Sequence, residues 1–390
     1  MSYPFPAPPQ GWVQPPYSVA ATWADAIRRK DPGALMLLPA SESLVSMGLL
    51  THSDVADYIN TYVSAALDYI AEVMSRYYSV EFIAGVLNAT AYLQPGNAAA
   101  IINSKAMDLN KFALALSSTA HISSGAAAAV LTGLANISFS KASSVVNAIL
   151  SIPFIDNAGV LAYILGDMTM PSTLAAALLM SIPITPAINV IANTNMAPSR
   201  AASILAQTAY IPVSTAAYIL AQTAYLPVSK SASILAQTPY LPITLSAQIL
   251  NQTAYLPVSI SAAILSQTTY IPLNTLASIL NHASPSAAAQ ILAQTAYIPV
   301  TLSAQAIADT AYLSIAQSAS ILAQTAYLPV TISAQILAQT AYLPISISAS
   351  ILNQTAYLPV SVSAAILNQT AYLPVTVSAQ IINNPNLSPG

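Results

Sequence analysis

The hydrophobic positions of the chain recur at a spacing of fifteen residues. An aliphatic pair begins at Ile219 and opens the stretch ILAQTAYLPV, which returns with small changes through the second half of the sequence. Earlier pairs, at Val86, Ile101 and Val130 for example, lie in units whose other residues have diverged. About twenty units fit this register between residues 86 and 390, and repetition at a fixed period is typical of a solenoid or array.

The late units do not by themselves distinguish a helix from a strand, because PVSIS and PVTVS alternate β-branched and polar residues. The divergent units QPGNAAAII, APSRAASIL and SPSAAAQIL place proline before an alanine-rich run. That order favours a helix with proline at its first position. Because copies of one array share a fold, the sequence predicts helices throughout. In one unit the helix is predicted to run from Pro257 to about Thr268, followed by a three-residue linker.

The predicted lengths constrain how successive helices pack. A helix of about 12 residues is about 18 Å long, whereas a three-residue linker reaches at most about 11 Å. Successive helices are therefore predicted to be nearly antiparallel, giving an all-α fold, an α-solenoid of short antiparallel helices. Val258, Ala262 and Leu265 form one apolar stripe and Ile260 with Ile264 a second, which suits a helix between two neighbours. The alternative is a coil with a shorter helix and an extended return segment in each unit.

The sequence divides into three segments by pattern. Residues 1–17 are rich in proline and aromatic residues, which predicts an extended N-terminal arm. Residues 18–85 predict a small charged helical head, with Ser53 as the N-cap of its longest helix. Residues 86–390 form the predicted array of fifteen-residue repeats.

Charged residues make up only 5% of the 390 residues, against about 25% in ordinary soluble domains. They crowd the head, and after Arg200 only Lys230 and Asp309 occur. A net charge of −3 provides no electrostatic basis for binding nucleic acid. The mean hydropathy of +0.62 is high, but proline interrupts nearly every unit and Gln, Thr and Ser recur, so no membrane span is predicted.

No constellation of residues predicts catalysis. His52, His121 and His282 are scattered and lack a second ligand at metal-binding spacing. The chain has no cysteine, no glycine-rich phosphate loop and no nucleophile elbow. We therefore expect a protein that is not an enzyme, with no catalytic, metal or cofactor site. The N-terminal residues also lack the basic and apolar regions of a classical secretory signal.

Two side chains recur as ladders in the late repeats. The tyrosines are Tyr210, Tyr225, Tyr240, Tyr255, Tyr270, Tyr297, Tyr312, Tyr327, Tyr342, Tyr357 and Tyr372. The glutamines are Gln222, Gln237, Gln252, Gln267, Gln294, Gln324, Gln339, Gln354 and Gln369. Each tyrosine is expected to pack over a linker, and an aromatic face for a glycan or polymer is the functional alternative. The amides are expected to hydrogen-bond from repeat to repeat.

Six asparagines begin an N-x-[ST] triplet, the acceptor pattern for N-glycosylation. They are Asn88, Asn136, Asn251, Asn353, Asn368 and Asn386. Wherever Asn replaces Ala before QT, the repeat creates the triplet automatically, so the pattern alone does not decide whether these residues are modified.

A repeat surface almost without charge is expected to be buried against other copies, since net charge keeps monomers apart. We expect head-to-tail association into a helical homopolymer, with the arm of one subunit lying along the next. The composition and repeat pattern of ILNQTAYLPVSVSAAIL, which is uncharged and interrupted by proline, resemble those of filament and fibre proteins of hyperthermophilic archaea or their viruses. The resemblance implies a structural glycoprotein of an extracellular or virion-borne filament that attaches to a host-cell surface. A monomeric α-solenoid that binds a protein or glycan is the alternative.

Overall fold

The structure is a computed structural model, and it describes most of the chain. The described residues are 16–221, 226, 228–235, 237, 241, 243–250, 256, 258–266, 271–295, 298–310, 312–324, 328–339, 343–353, 358–369 and 373–385. They separate into two compact units, Met1–Asn195 and Met196–Gly390. The predicted arm therefore lies almost wholly outside the described residues, and the division into arm, head and array stays a prediction.

All regular structure in the described residues is helical, as predicted. The first unit contains α1 (Tyr17–Arg28), a 3-10 helix (Pro32–Ala40), α2 (Ser41–Ser46), α3 (His52–Tyr77), α4 (Val80–Asn88), α5 (Pro95–Asn103), α6 (Leu109–Ser117), α7 (Ser124–Ile137), α8 (Phe139–Leu150), α9 (Asn157–Leu165), α10 (Ser172–Leu179) and α11 (Ile184–Ala192). The second contains α12 (Pro198–Leu205), α13 (Val213–Ala221), α14 (Val228–Leu235), α15 (Ile243–Leu250), α16 (Val258–Leu265), α17 (Leu273–His282), α18 (Pro285–Leu292), α19 (Val300–Ala308), α20 (Ile315–Leu322), α21 (Val330–Leu337), α22 (Ile345–Leu352), α23 (Val360–Leu367) and α24 (Val375–Ile382).

The longest helix, α3, begins earlier than a cap at Ser53 would allow, so the predicted cap is wrong. Its N-cap is Thr51, whose hydroxyl accepts a hydrogen bond from the Asp54 amide at 3.1 Å. The Asp54 carboxylate accepts one from the Thr51 amide at 2.8 Å. This reciprocal capping box satisfies two amides at once, which a cap at Ser53 could not do with Asp54 as its neighbour. Within α3 the backbone leaves the helical region at Ala66, where the helix kinks.

The repeat helices are shorter than the sequence predicted. Helix α16 ends at Leu265 rather than near Thr268 and begins at Val258. Helix α21 likewise begins after Pro329, which is extended at ψ 142° and serves as the N-cap residue. Helices α5, α12 and α18, by contrast, carry proline at the first helical position, as predicted.

The shorter helix removes the length argument for antiparallel hairpins. Eight residues of helix span about 12 Å, and the seven residues from Ala338 to Pro344 connect α21 to α22. A connection of that length reaches about 24 Å, so it can return past the start of its own helix. A shorter helix with a longer return segment is the alternative that these lengths match.

Within each unit, helices contact the helix two places further along the chain. In the first unit α3 contacts α5, α4 contacts α6, and the series continues to α9 with α11. In the second unit the same relation joins every such pair from α12 with α14 to α22 with α24. A helix inside this series therefore lies between two neighbours, as its two apolar stripes predict.

The core of the second unit uses the same helical positions in successive helices up to α22. In α21 the fourth, fifth, seventh and eighth residues are buried, namely Ser333, Ala334, Ile336 and Leu337. Alanine at the fifth position lets neighbouring backbones approach closely. In the first unit, α7 approaches α5 closely at Gly133, where an added Cβ would lie 3.0 Å from the carbonyl oxygen of Pro95.

Candidate functional site

Several repeat helices are followed by a turn that begins at the glutamine position of the repeat and is closed by a backbone hydrogen bond. After α12 the turn runs from Gln207 to Ile211, and the Ile211 amide donates to the Gln207 carbonyl at 2.9 Å. The Leu343 amide donates to the Gln339 carbonyl at 2.8 Å in the same way. The closing residue is buried and a proline follows it. The turn therefore ends one helix and anchors the chain before the next.

The tyrosine of this turn is half exposed wherever the structure describes it. Tyr210 is 47% exposed and Tyr312 is 46% exposed. Tyr92, in the equivalent turn after α4, is 48% exposed. The other ladder tyrosines lie outside the described residues: Tyr225, Tyr240, Tyr255, Tyr270, Tyr297, Tyr327, Tyr342, Tyr357 and Tyr372. About half of the surface of each described tyrosine is thus accessible to a ligand or to another molecule.

The glutamine opens the turn and is half buried in the described repeats. At the equivalent position after α12, the Gln207 amide donates to the Ser203 carbonyl of its own helix at 3.0 Å. This bond satisfies a carbonyl at the end of the helix. Hydrogen bonding between glutamines of neighbouring repeats stays a prediction. Gln222, Gln252, Gln267 and Gln354 lie outside the described residues.

Of the four sequon asparagines that the structure describes, three are exposed, and these three stand at or near the ends of helices. Asn88, Asn136 and Asn368 are exposed, whereas Asn353 is half buried. The Asn88 side-chain oxygen accepts hydrogen bonds from the amide and the hydroxyl of Ser123, both at 2.9 Å. Asn251 and Asn386 lie outside the described residues.

A buried serine occupies the fourth position of most helices in the second unit. The Ser231 hydroxyl donates to the Leu220 carbonyl at 3.5 Å, and Ser378 donates to Leu367 at 3.3 Å. Both acceptors lie at the end of the preceding helix. The hydroxyls of Ser246, Ser261, Ser303, Ser318, Ser333, Ser348 and Ser363 are buried without a hydrogen-bond partner among the described residues. A small polar group thus fits this position, where helices pack closely.

Three of the four lysines after residue 86 occupy the same helical position and donate to a backbone carbonyl. Lys111, Lys141 and Lys230 are each the third residue of their helix. Their ammonium groups donate to the carbonyls of Ser75, Ser104 and Met196 at 2.7, 2.9 and 2.9 Å.

The first two of these carbonyls lie at the end of a helix. Ser75 lies in the last turn of α3, and Ser104 directly follows α5. An ammonium group there donates to a carbonyl that has no partner within its helix, and its positive charge interacts favourably with the negative end of the helix dipole. Burial lowers the pKa of both Lys141 and Lys230.

An uncharged residue performs the same task in α20. Gln317 is the third residue of that helix, and its amide donates to the carbonyls of Leu280 and Ala283 at 3.3 and 2.9 Å. Arg200 occupies the third position of α12 and is buried. The shared position is visible in the sequence. Its partner is not, because the acceptor lies more than thirty residues away.

Two carboxylates of the repeats cap helix N-termini. Asp108 accepts from the amides of Asn110 and Lys111 at 2.9 and 3.3 Å, and Asp156 accepts from the Gly159 amide at 2.9 Å. A carboxylate at this end of a helix accepts hydrogen bonds from first-turn amides that have no partner within the helix. Its negative charge also interacts favourably with the positive end of the helix dipole. These charged side chains therefore interact mainly with the ends of helices within the chain.

The head contains a cleft of about 790 Å³ between the 3-10 helix and the kinked part of α3. Its polar lining includes Asp68, Glu72 and Arg76. The Asp68 carboxylate accepts from the Ser104 hydroxyl at 2.7 Å, and Arg76 pairs with Glu72 at 3.1 Å. These carboxylates thus have partners inside the chain.

Across the part of the chain that the structure describes, no three His, Cys, Asp or Glu side chains cluster as metal ligands would. No described helix is both long enough and apolar enough to cross a membrane. His52, His121 and His282 lie on α3, in the turn after α6 and at the end of α17.

Comparison with known proteins identifies no relative. No protein-family model, no curated protein and no solved structure matches this chain. The function proposed below therefore depends on the chain's own residues.

Proposed function

We propose that the protein is a structural subunit that assembles with copies of itself into an extracellular or virion-associated filament. The observation that carries the proposal is the location of charge in the repeats. Lys111, Lys141 and Lys230 donate to backbone carbonyls, and Asp108 and Asp156 cap helices. From α15 onward Asp309 is the only Asp, Glu, Lys or Arg in the sequence.

A repeat surface of this composition lacks the charge that keeps soluble monomers apart. Its exposed positions carry proline, serine, threonine and half-exposed tyrosine instead. Contact with identical neutral surfaces on other copies would remove these groups from water without burying a charge. The compositional resemblance to archaeal and viral filament proteins supports the same proposal.

We further propose that the helices of each unit form an α-solenoid with two helices in each turn. Contact between each helix and the second one following it supports this arrangement. So do the seven-residue connections, which are long enough to return the chain past a helix of eight residues. A regular stack of this kind suits a building element, since each repeat offers the same surface again.

In this proposal the arm of residues 1–17 lies along the next subunit and gives the polymer its head-to-tail direction. Attachment to a host-cell surface is the proposed use of the filament. Sedimentation in buffer without detergent tests polymerisation: large species that pellet without lipid support the proposal, and a discrete small species contradicts it.

The second candidate is a monomeric module that binds a protein or a glycan. The observation in its favour is that Tyr92, Tyr210 and Tyr312 are exposed to similar extents in equivalent turns. Regularly spaced aromatic rings can stack on sugars or pack on apolar side chains. Soluble monomers that bind a polysaccharide in a titration would favour this candidate over the filament.

A further inference from the structure

The connection between α8 and α9 presents three consecutive apolar residues to solvent. In this connection, which we call the Phe154 loop (residues 151–156), Pro153 is exposed, Phe154 is 104% exposed and Ile155 is 40% exposed. Single apolar residues are common on protein surfaces. A run of three is unfavourable for a surface in water and indicates that the run has a use.

The backbone of the Phe154 loop is strained at its most exposed residue. Phe154 has a φ of 65°, a left-handed conformation that is unfavourable for a residue with a bulky side chain. The loop is nevertheless held in place, because the Asn157 side chain donates to the carbonyls of Leu150 and Ile152 at 2.6 and 3.1 Å. A strained residue that the surrounding structure maintains indicates a function for the side chain that it displays.

The head cleft, between the 3-10 helix and the kinked part of α3, offers a concave surface of about 790 Å³. One side of it is apolar, with Met36 of the 3-10 helix 44% exposed and Ala65 of α3 exposed. The volume lies within the roughly 300–1,000 Å³ of ordinary ligand pockets. The carboxylates on its polar side already have partners within the chain, so an uncharged aromatic ring can enter without separating them.

We propose that the Phe154 loop of one copy inserts its aromatic ring into the head cleft of a second copy. The ring is fully exposed in its own subunit, so it does not fill the cleft of the chain that carries it. Loop and cleft are different surfaces of the first unit, which makes the contact heterologous. Such a contact repeats from copy to copy and forms a filament unless it closes into a cycle of subunits. The inference rests on the proposed filament and deepens it by naming the two surfaces that meet.

The size of the ring indicates how much of the contact it supplies. A buried phenylalanine removes roughly 150–250 Å² from water, whereas a standard interface buries roughly 800 Å² on each partner. The ring is therefore an anchor for the contact, and further contacts between copies have to supply the remaining area.

Two variants test the contact from its two sides. Phe154→Gly removes the ring, and glycine adopts a φ of 65° freely, so the fold is expected to persist. Ala65→Lys places a charge in the head cleft at an exposed position and keeps a good helix former in α3. Met168→Ser is the control for the loss of an exposed apolar side chain, because Met168 is 67% exposed and lies beyond the other end of α9. Circular dichroism compares the helical content of all three with the wild type.

Sedimentation velocity over a concentration series gives the result. The wild type and Met168→Ser are expected to associate alike. Phe154→Gly and Ala65→Lys should each need at least about tenfold higher concentration, because the first loses the burial of the ring and the second buries an unpaired charge. Mixing these two variants should restore association, but only to discrete dimers. One intact loop then meets one intact cleft, and both remaining ends are blocked.

The other outcomes separate this contact from the filament itself. Filaments that form as readily with Phe154→Gly as with the wild type would overturn the contact and leave the filament intact. Loss of association in Ala65→Lys alone would assign the head cleft to another occupant, such as residues 1–17, and would also overturn it. So would two variants that both lose association and form no dimers when mixed.

A wild type that stays monomeric at every concentration would overturn both the contact and the filament. If that monomer sediments with phosphatidylcholine vesicles and Phe154→Gly does not, the loop binds a lipid surface instead.

Discussion

The Lys230 ammonium donates a hydrogen bond of 2.9 Å to the carbonyl oxygen of Met196. Lys230 is the third residue of α14, and Met196 lies two residues before α12. The bond thus joins two segments of the second unit that are 34 residues apart in sequence. It supplies a charged donor to a backbone carbonyl in a connection between helices, where no helical amide is available to it.

Replacing this lysine should destabilise the second unit. Lys230→Met keeps the aliphatic stem but leaves the Met196 carbonyl without this donor, so we expect a loss of about 1–2 kcal/mol in the free energy of unfolding. Lys230→Arg keeps a cationic donor and should lose less. Lys105→Met is the control, because Lys105 is exposed. Urea denaturation followed by circular dichroism measures all three. Equal stability of Lys230→Met and the wild type would show that the bond contributes nothing.

The stability of the head should fall on acidification below about pH 6.5. Burial, with a further contribution from the charge of His121, lowers the pKa of His52 from its ordinary value of 6.5, and Glu42 opposes the shift. The unfolded chain then binds more protons than the folded chain between the two pKa values. The contribution of His52 to stability is therefore complete above pH 6.5 and is lost as the pH falls through the pKa of the folded state.

Two variants assign this pH dependence. The His52 ring fits against Gly85, where an added Cβ would lie 2.5 Å from it. His52→Gln should flatten the dependence of unfolding on pH below 6.5. His121→Gln should move the His52 titration, followed by NMR, toward its ordinary value. An unchanged slope in His52→Gln would assign the acid sensitivity to other groups.

The residue that closes each turn should be a determinant of repeat stability. Leu343 is fully buried, and its amide donates to the Gln339 carbonyl. Leu343→Ala would leave a cavity, with an expected loss of about 2–5 kcal/mol in the free energy of unfolding. Val375→Ala removes apolar atoms from an exposed position of the same unit and should change stability little. Thermal unfolding compares the two, and similar losses would mean that the turn is not an anchor.

Charge at the glutamine ladder should block polymerisation if these surfaces are buried between copies. Gln294, Gln324 and Gln339 are half buried in the subunit. Changing all three to Lys should leave the subunit folded, because lysine can extend its ammonium to water. Changing them to Met removes the amides without adding charge.

The pair of variants separates two roles of the ladder. If charge is what the buried surface excludes, the Lys variant stays small in sedimentation and the Met variant polymerises. If the amides themselves join the copies, neither polymerises. Polymerisation of the Lys variant would contradict burial of this surface.

The helical nature of the repeats could be predicted because the divergent units contain alanine-rich runs that a strand would not favour. The length of the helices could not be predicted. Leu265 is followed in the sequence by Ser266, Gln and Thr, and none of these residues breaks a helix. In the structure, the turn after a repeat helix is closed by a backbone hydrogen bond and by burial of its last residue, as at Ile211. Both depend on the packed structure.

The candidate surfaces were only partly predictable for a similar reason. The sequence shows that charge is scarce, and the positions of Lys111, Lys141 and Lys230 are visible in it. Their acceptors, the carbonyls of Ser75, Ser104 and Met196, become neighbours only when helices pack together.

Electron microscopy of the purified full-length chain in dilute buffer, without detergent or lipid, tests the proposed function most directly. The proposal predicts filaments of uniform width whose images average to a helical repeat. A field of separate small particles, at concentrations where sedimentation also shows one discrete species, would contradict it.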